Sequence, residues 1–158
     1  MTDNEKMMMG QTVYETICKM FDEKGFHYER HEDDHVITCQ VRGDDLPMDI
    51  LFAVRDDRQI VQLLSPMPFT VPEDKRMDIA LAITVINDRL VDGSFDFDLS
   101  KGRITFRQTA SYIESILGKE LFEYMLMVSA STVDEYNDKF LMIAKGMISF
   151  EQFLESEN

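Results

Sequence analysis

Positive charge is what this chain is short of. Against 30 Asp and Glu it carries 16 Lys and Arg, a formal net charge of −14. A surface with that balance repels a phosphate backbone, so nucleic-acid binding would need a strong local basic patch. None is visible, because Arg55, Arg58, Lys75, Arg76, Arg103 and Arg107 are scattered among acids. Long apolar runs are missing too. The longest, Ile79 to Ile86, is interrupted by Thr84 and far too short to span a bilayer. Met1 to Gly10 lacks the cationic start and apolar stretch of a secretory leader. No membrane partner is therefore expected, and the cytoplasm is the expected compartment. The two cysteines, Cys18 and Cys39, fall at core-facing positions and read as reduced, buried thiols. There is no phosphate-cradling glycine loop, dinucleotide fingerprint, internal repeat or low-complexity linker.

What is present is a single domain's worth of patterned chain. At 158 residues it can bury a sizeable core without disulfides or metal. We expect one domain over 1–158, with its core over 11–145 and a short C-terminal helix over 147–157. Val13, Ile17, Met20 and Phe21 form a helical stripe that predicts a first helix from Gln11 to Lys24, stopped by Gly25. Four strands follow, and side-chain alternation sets their register. Ile37, Cys39 and Val41 share a face, as do Met48, Ile50, Phe52 and Val54. These sets align if Arg42 pairs with Pro47. A turn at Asp57-Arg58 then places Val54 against Val61 and Phe52 against Leu63. A first strand from Phe26 to Arg30 joins the same face if Tyr28 opposes Ile37.

Pro66, Pro68 and Pro72 mark a stiff connection to a second helix, Pro72 to Val91. Its apolar surface is too wide for a wet exterior, which predicts burial between layers or at a subunit contact. Asn87, beside Ile83, Ile86 and Leu90, reads as a locally satisfied hydrogen-bonder. A hairpin follows, with Leu99 expected opposite Ile104 and Phe97 opposite Phe106 around Lys101-Gly102. Apolar steps of four and three from Leu121 to Ile143 predict a long third helix over Lys119 to Lys145, and Ser149 with Gln152 reads as a capping box for a last one. Strands grouped between flanking helices argue for an α+β fold: a four-strand antiparallel meander plus a hairpin.

Little in the sequence points to chemistry. His27, His31, His35 and Cys39 recur every fourth residue, and on a helix they would share a face suited to zinc. On a strand, however, four residues span roughly 13 Å, too far to chelate one ion. A hairpin with His31 opposite His35 would revive that site, but it would turn Phe26 and Tyr28 away from the core. Burial of those aromatics is worth about 1.5–3 kcal/mol each and favours the other register. We therefore expect no metal and no cofactor, with His31 and His35 as the only candidates. The acidic pairs Asp44-Asp45 and Asp56-Asp57 sit in predicted turns, which explain them without catalysis. The twelve methionines, Met7, Met8 and Met9 among them, read as adaptable core filler.

The second face of the meander is more informative. Leu51, Ala53, Ile60 and Leu64 project there, with Val36 beside them. A sheet with one wet face should be polar at such positions. The first expectation is cover by the chain's own later helices; the alternative is a dimer or partner-binding surface.

The order of elements and the segment Ile86-Asn87-Asp88-Arg89-Leu90-Val91-Asp92-Gly93-Ser94-Phe95-Asp96-Phe97-Asp98 resemble the YbjN family of bacterial sensory transduction regulators. That family's fold is similar to the type III secretion chaperones. The resemblance runs from about Thr12 to Leu154 and rests on Asn87, Gly93 and the alternating hairpin Phe95 to Phe106. It carries no catalytic residue. It implies a regulatory domain that binds a protein or peptide, often paired as a homodimer. The competing readings are a small enzyme using a carboxylate or His pair and a structural subunit of a larger complex.

Overall fold

In a computed structural model that describes residues 1–158, ten helices and strands follow one another. They are α1 (Asp3–Lys24), β1 (Glu29–His31), β2 (Val36–Arg42), β3 (Pro47–Arg55), β4 (Ile60–Pro66), α2 (Arg76–Arg89), β5 (Ser94–Asp98), β6 (Arg103–Ser111), α3 (Lys119–Ala144) and α4 (Phe150–Ser156). The strands form one antiparallel sheet in the order β1-β2-β3-β4-β6-β5. The hairpin thus extends the meander, because β6 runs on beyond Phe106 and pairs with β4 from Ile60↔Ser111 to Pro66↔Thr105.

Helix α1 starts well before the expected Gln11. Thr2 caps it: its hydroxyl accepts the Glu5 N–H at 3.1 Å, while Glu5 accepts the Thr2 N–H at 3.4 Å. Such a reciprocal pair satisfies two otherwise orphaned donors. Gly25 ends the helix at φ 68°, in the left-handed region. Helix α2 is shorter than expected: a 3-10 turn, Glu73–Lys75, precedes it, and it stops at Arg89. It is buried on one side only. Ile79, Ala82, Ile83 and Ile86 are covered, whereas Met77 and Leu81 face outward, so it does not lie between two layers.

The central registers are as the parity rule requires: Arg42↔Pro47, Phe52↔Leu63 and Val54↔Val61. Two outer registers slip by two residues, and both keep their faces. In the first, Arg30 rather than Tyr28 pairs with Ile37. A 3-10 turn, Glu32–Asp34, and a left-handed His35 take up the chain between β1 and β2. Tyr28 still packs on the Ile37 side, half-buried, with its hydroxyl donating to Asp22 Oδ1 at 2.7 Å. Phe26 leaves the layer and stays 42% exposed. In the second, Phe97 pairs with Ile104 and Phe95 with Phe106. Asp98 Oδ1 accepts the N–H groups of Ser100 and Lys101, at 3.0 and 3.1 Å, which builds a four-residue turn in place of a two-residue one. Gly102 closes it at φ 71°, and Leu99 is left exposed at the tip.

All four helices lie on one face of the sheet. Their apolar residues form two clusters with it. In one, Tyr14, Ile17 and Phe21 of α1 and Phe122 and Leu126 of α3 pack on Ile37, Ile50, Phe52, Val61 and Leu63. In the other, α2, α4 and the second half of α3 pack on Phe95, Ile104 and Phe106. Gln108 ties α3 down between them, donating to Met125 O and Ser129 Oγ at 2.7 Å each. Along α3 the buried stripe includes Met125, Tyr136, Phe140 and Ile143 as expected, and also Phe122, Leu126 and Val133. Ser149 and Gln152 do form the capping box of α4, which buries Phe153.

Candidate binding surface

No helix covers the second face of the sheet. Val36, Leu51, Ala53, Ile60 and Leu64 lie outside both core clusters and are shielded only by their strand neighbours. This corrects the expectation that the later helices would fold over them. The reason is geometric: every helix presents one apolar stripe, and all of these stripes are used on the Ile37 side. The register sets the five residues close together. Val36 pairs with Ala53, Leu51 with Leu64, and Ile60 with Arg55 and Ser111. Toward β5 the face turns polar, where Arg107 and Asp96 form an exposed ion pair at 2.7 Å.

The β1 side of the sheet is only partly finished. Strand β1 pairs with Val36, Ile37 and Thr38, so Cys39 to Arg42 have β3 on one side and no strand on the other. Two hollows flank this open half of β2. On the helix side a groove of about 330 Å³ is lined by Phe21, Phe26, Val41, Leu126, Met127 and Ala130, among others. On the bare side a wider trough of about 750 Å³ includes Glu29, Thr38, Gln40, Asp49 and Leu51. Phe26 and Met127, 42% and 57% exposed, stand at the rim of the groove. Cys39 borders both hollows; burial, and then the Asp49 carboxylate, push its thiol up to about 11, which keeps it protonated and unreactive.

The histidines do not converge. His31 pairs with Val36 and its Nε2 lies 3.1 Å from Thr38 Oγ1, while His35 turns under α1 and lies 3.2 Å from Asp56. No group of three or more His, Cys, Asp or Glu side chains is arranged to hold a metal ion. Asp44 and Asp45 sit in the β2–β3 loop and Asp56 and Asp57 in the β3–β4 turn, in keeping with a turn role. Asn87 is satisfied locally: its Nδ2 donates to Phe95 O at 3.0 Å and its Oδ1 accepts the Phe95 N–H at 2.8 Å. The groove itself was not foreseen from the sequence. Its signal is an apolar residue, Phe26, placed before a strand too short to reach it.

An antiparallel sheet with all its helices on one face defines the class to which the molecule belongs, a type III secretion chaperone-like fold. The complex of ExsC with ExsE matches at 14% identity and a TM-score of 0.59, over 81% of this chain and 92% of the matched one. The chaperone–effector complex of SchA with HopA1 matches at 10% identity and a TM-score of 0.57, over 83% and 97%. YbjN from E. coli matches at 13% identity and a TM-score of 0.60, over 80% and 92%. Among curated proteins none matches in sequence. The chain belongs to the YbjN family, whose description is "Putative bacterial sensory transduction regulator" and whose model matches residues 14–142.

Proposed function

We propose that this protein is a non-enzymatic regulatory domain that binds an extended segment of another protein along the open half of β2 and the adjoining bare face. The carrying observation is the pair of hollows on either side of Cys39–Arg42. A strand added to that edge would gain main-chain hydrogen bonds and send alternate side chains to opposite faces. One set enters the apolar groove between α1 and α3. The other lies over the trough, where Glu29 and Asp49 favour basic or polar residues, as does the net charge of −14. Leu51 and Leu64 continue the contact across the face, with Val36, Ala53 and Ile60. Two structures of the same fold, the ExsC–ExsE and SchA–HopA1 complexes, hold protein partners and support the reading. So does the family description.

Selection from a library of peptides displayed on phage tests it. Enriched sequences should alternate bulky apolar with basic or polar residues. Binding should fall about tenfold or more with Met127→Glu at the groove, and also with Leu64→Lys on the face. Neither change should move the unfolding midpoint appreciably, since both positions are outside the core. Failure of selection, or binding indifferent to both substitutions, would sink the proposal. We also propose a homodimer through the outward side of α2, where Met77 and Leu81 are exposed. Light scattering should then give twice the 18.4 kDa of one chain. The cytoplasm is the compartment that suits free thiols at Cys18 and Cys39.

A further inference from the structure

His35 sits at φ 52°, ψ 48° after the Glu32–Asp34 turn, and its carbonyl accepts the Val54 N–H at 3.0 Å. The ring is 12% exposed and lies 5.3 Å from the buried ring of Tyr14 in α1. Its Nδ1 is 3.2 Å from Asp56 Oδ1, in the β3–β4 turn. Its Nε2 is 2.7 Å from Gln11 Oε1, in α1. The Gln11 amide is not free to turn round. Its nitrogen donates at 3.0 Å to Glu15 Oε1, which also accepts from Arg30 at 2.6 Å. Reversing the amide would set two oxygens against each other. Both ring nitrogens therefore face oxygen acceptors. A neutral imidazole has one N–H to give and an imidazolium has two; only the cation satisfies both.

We propose that His35 is a proton-operated latch on α1. Protonated, it joins the helix through Gln11 to the β3–β4 turn through Asp56; deprotonated, it loses one of these ties. The turn reaches the helix because residue 10 is glycine: a Cβ there would run into Asp56 Oδ1. The charged groups around the ring are Glu15 on α1, Arg30 on β1, Glu32 in the 3-10 turn and Asp56. Arg30 is matched by Glu15 and Glu32, at 2.6 Å each. Asp56 is thus the anion left to answer the ring; after burial, its charge also raises the Tyr112 hydroxyl above its usual value. The latch contributes stability while the ring carries both protons, and that contribution is lost when the ring gives one of them up.

Hydrogen exchange of the amides of residues 3–14, corrected for intrinsic rates, tests this at pH 5.5 and 8.0. Protection in the native protein should drop about three- to fivefold across that interval, the size of one partly exposed ion pair. His35→Asn, which tolerates the left-handed backbone, should show no such drop. If that variant does not fold, Asp56→Asn supplies the same comparison. The proposal is overturned if the native protein shows no drop, or if the folded variant keeps it in full.

Discussion

The two edges of the sheet are finished in opposite ways. At the β5 edge, the Asn87 amide bonds both the N–H and the carbonyl of Phe95, as a neighbouring strand would. Helix α2 is thereby fastened to the hairpin, and this edge is closed at Phe95. At the other edge, β1 covers three residues of β2 and the remaining four have no side chain standing in for a strand. Unpaired strand edges invite another chain, and proteins blunt those they do not use. The contrast teaches that one well-placed amide can stand in for a strand at the residue it bonds. The β2 edge, bordered by an apolar groove, has none.

Substitutions at the closed edge should have the largest effects. Phe95 packs on Phe106, Tyr136 and Phe140 at 5.1–6.0 Å between ring centroids. Phe95→Ala should cost about 3–5 kcal/mol, read as a lower urea midpoint. Asn87→Ala should cost about 2 kcal/mol, because it leaves the N–H and carbonyl of a buried residue unpaired. It should also make this edge resemble the other one, so that the variant binds displayed peptides at two places instead of one. The smallest effect belongs to the open end. There, burial and then the carboxylates of Asp138, Asp134 and Asp44 raise Asp45 above the usual carboxylate value. A carboxyl group raised on folding opposes stability once ionised, and the penalty disappears as pH falls through its titration. Asp45→Asn should therefore stabilise slightly at neutral pH, with the gain vanishing in acid and shrinking in salt, as urea unfolding across pH will show.

How far the sequence foretold this structure depended on which physical signal was involved. Parity along a strand is robust, since a one-residue error would turn Ile37, Phe52 and Leu63 out of the core; those faces and the central registers were legible. Registers set by turn chemistry were less so. Asp98 capping Ser100 and Lys101, and the left-handed His35, each moved a pairing by two residues without changing its face. The start of α1 was written in Thr2 and Glu5 but lay outside the apolar stripe used to delimit the helix. The bare face was legible as a set of residues, though its lack of cover was not. Periodicity says that a helix has an apolar side, not which side of a sheet it will occupy. The groove was hidden for a similar reason, because it exists only where β1 stops.

Two small side chains, Val41 and Ala130, touch both apolar clusters, and both line the groove. The interior is therefore two compartments meeting at a seam, and the seam reaches the surface beside the unfinished strand. Anything wedged there would press on both compartments at once. A guest no longer than a few residues could thereby stiffen the whole molecule.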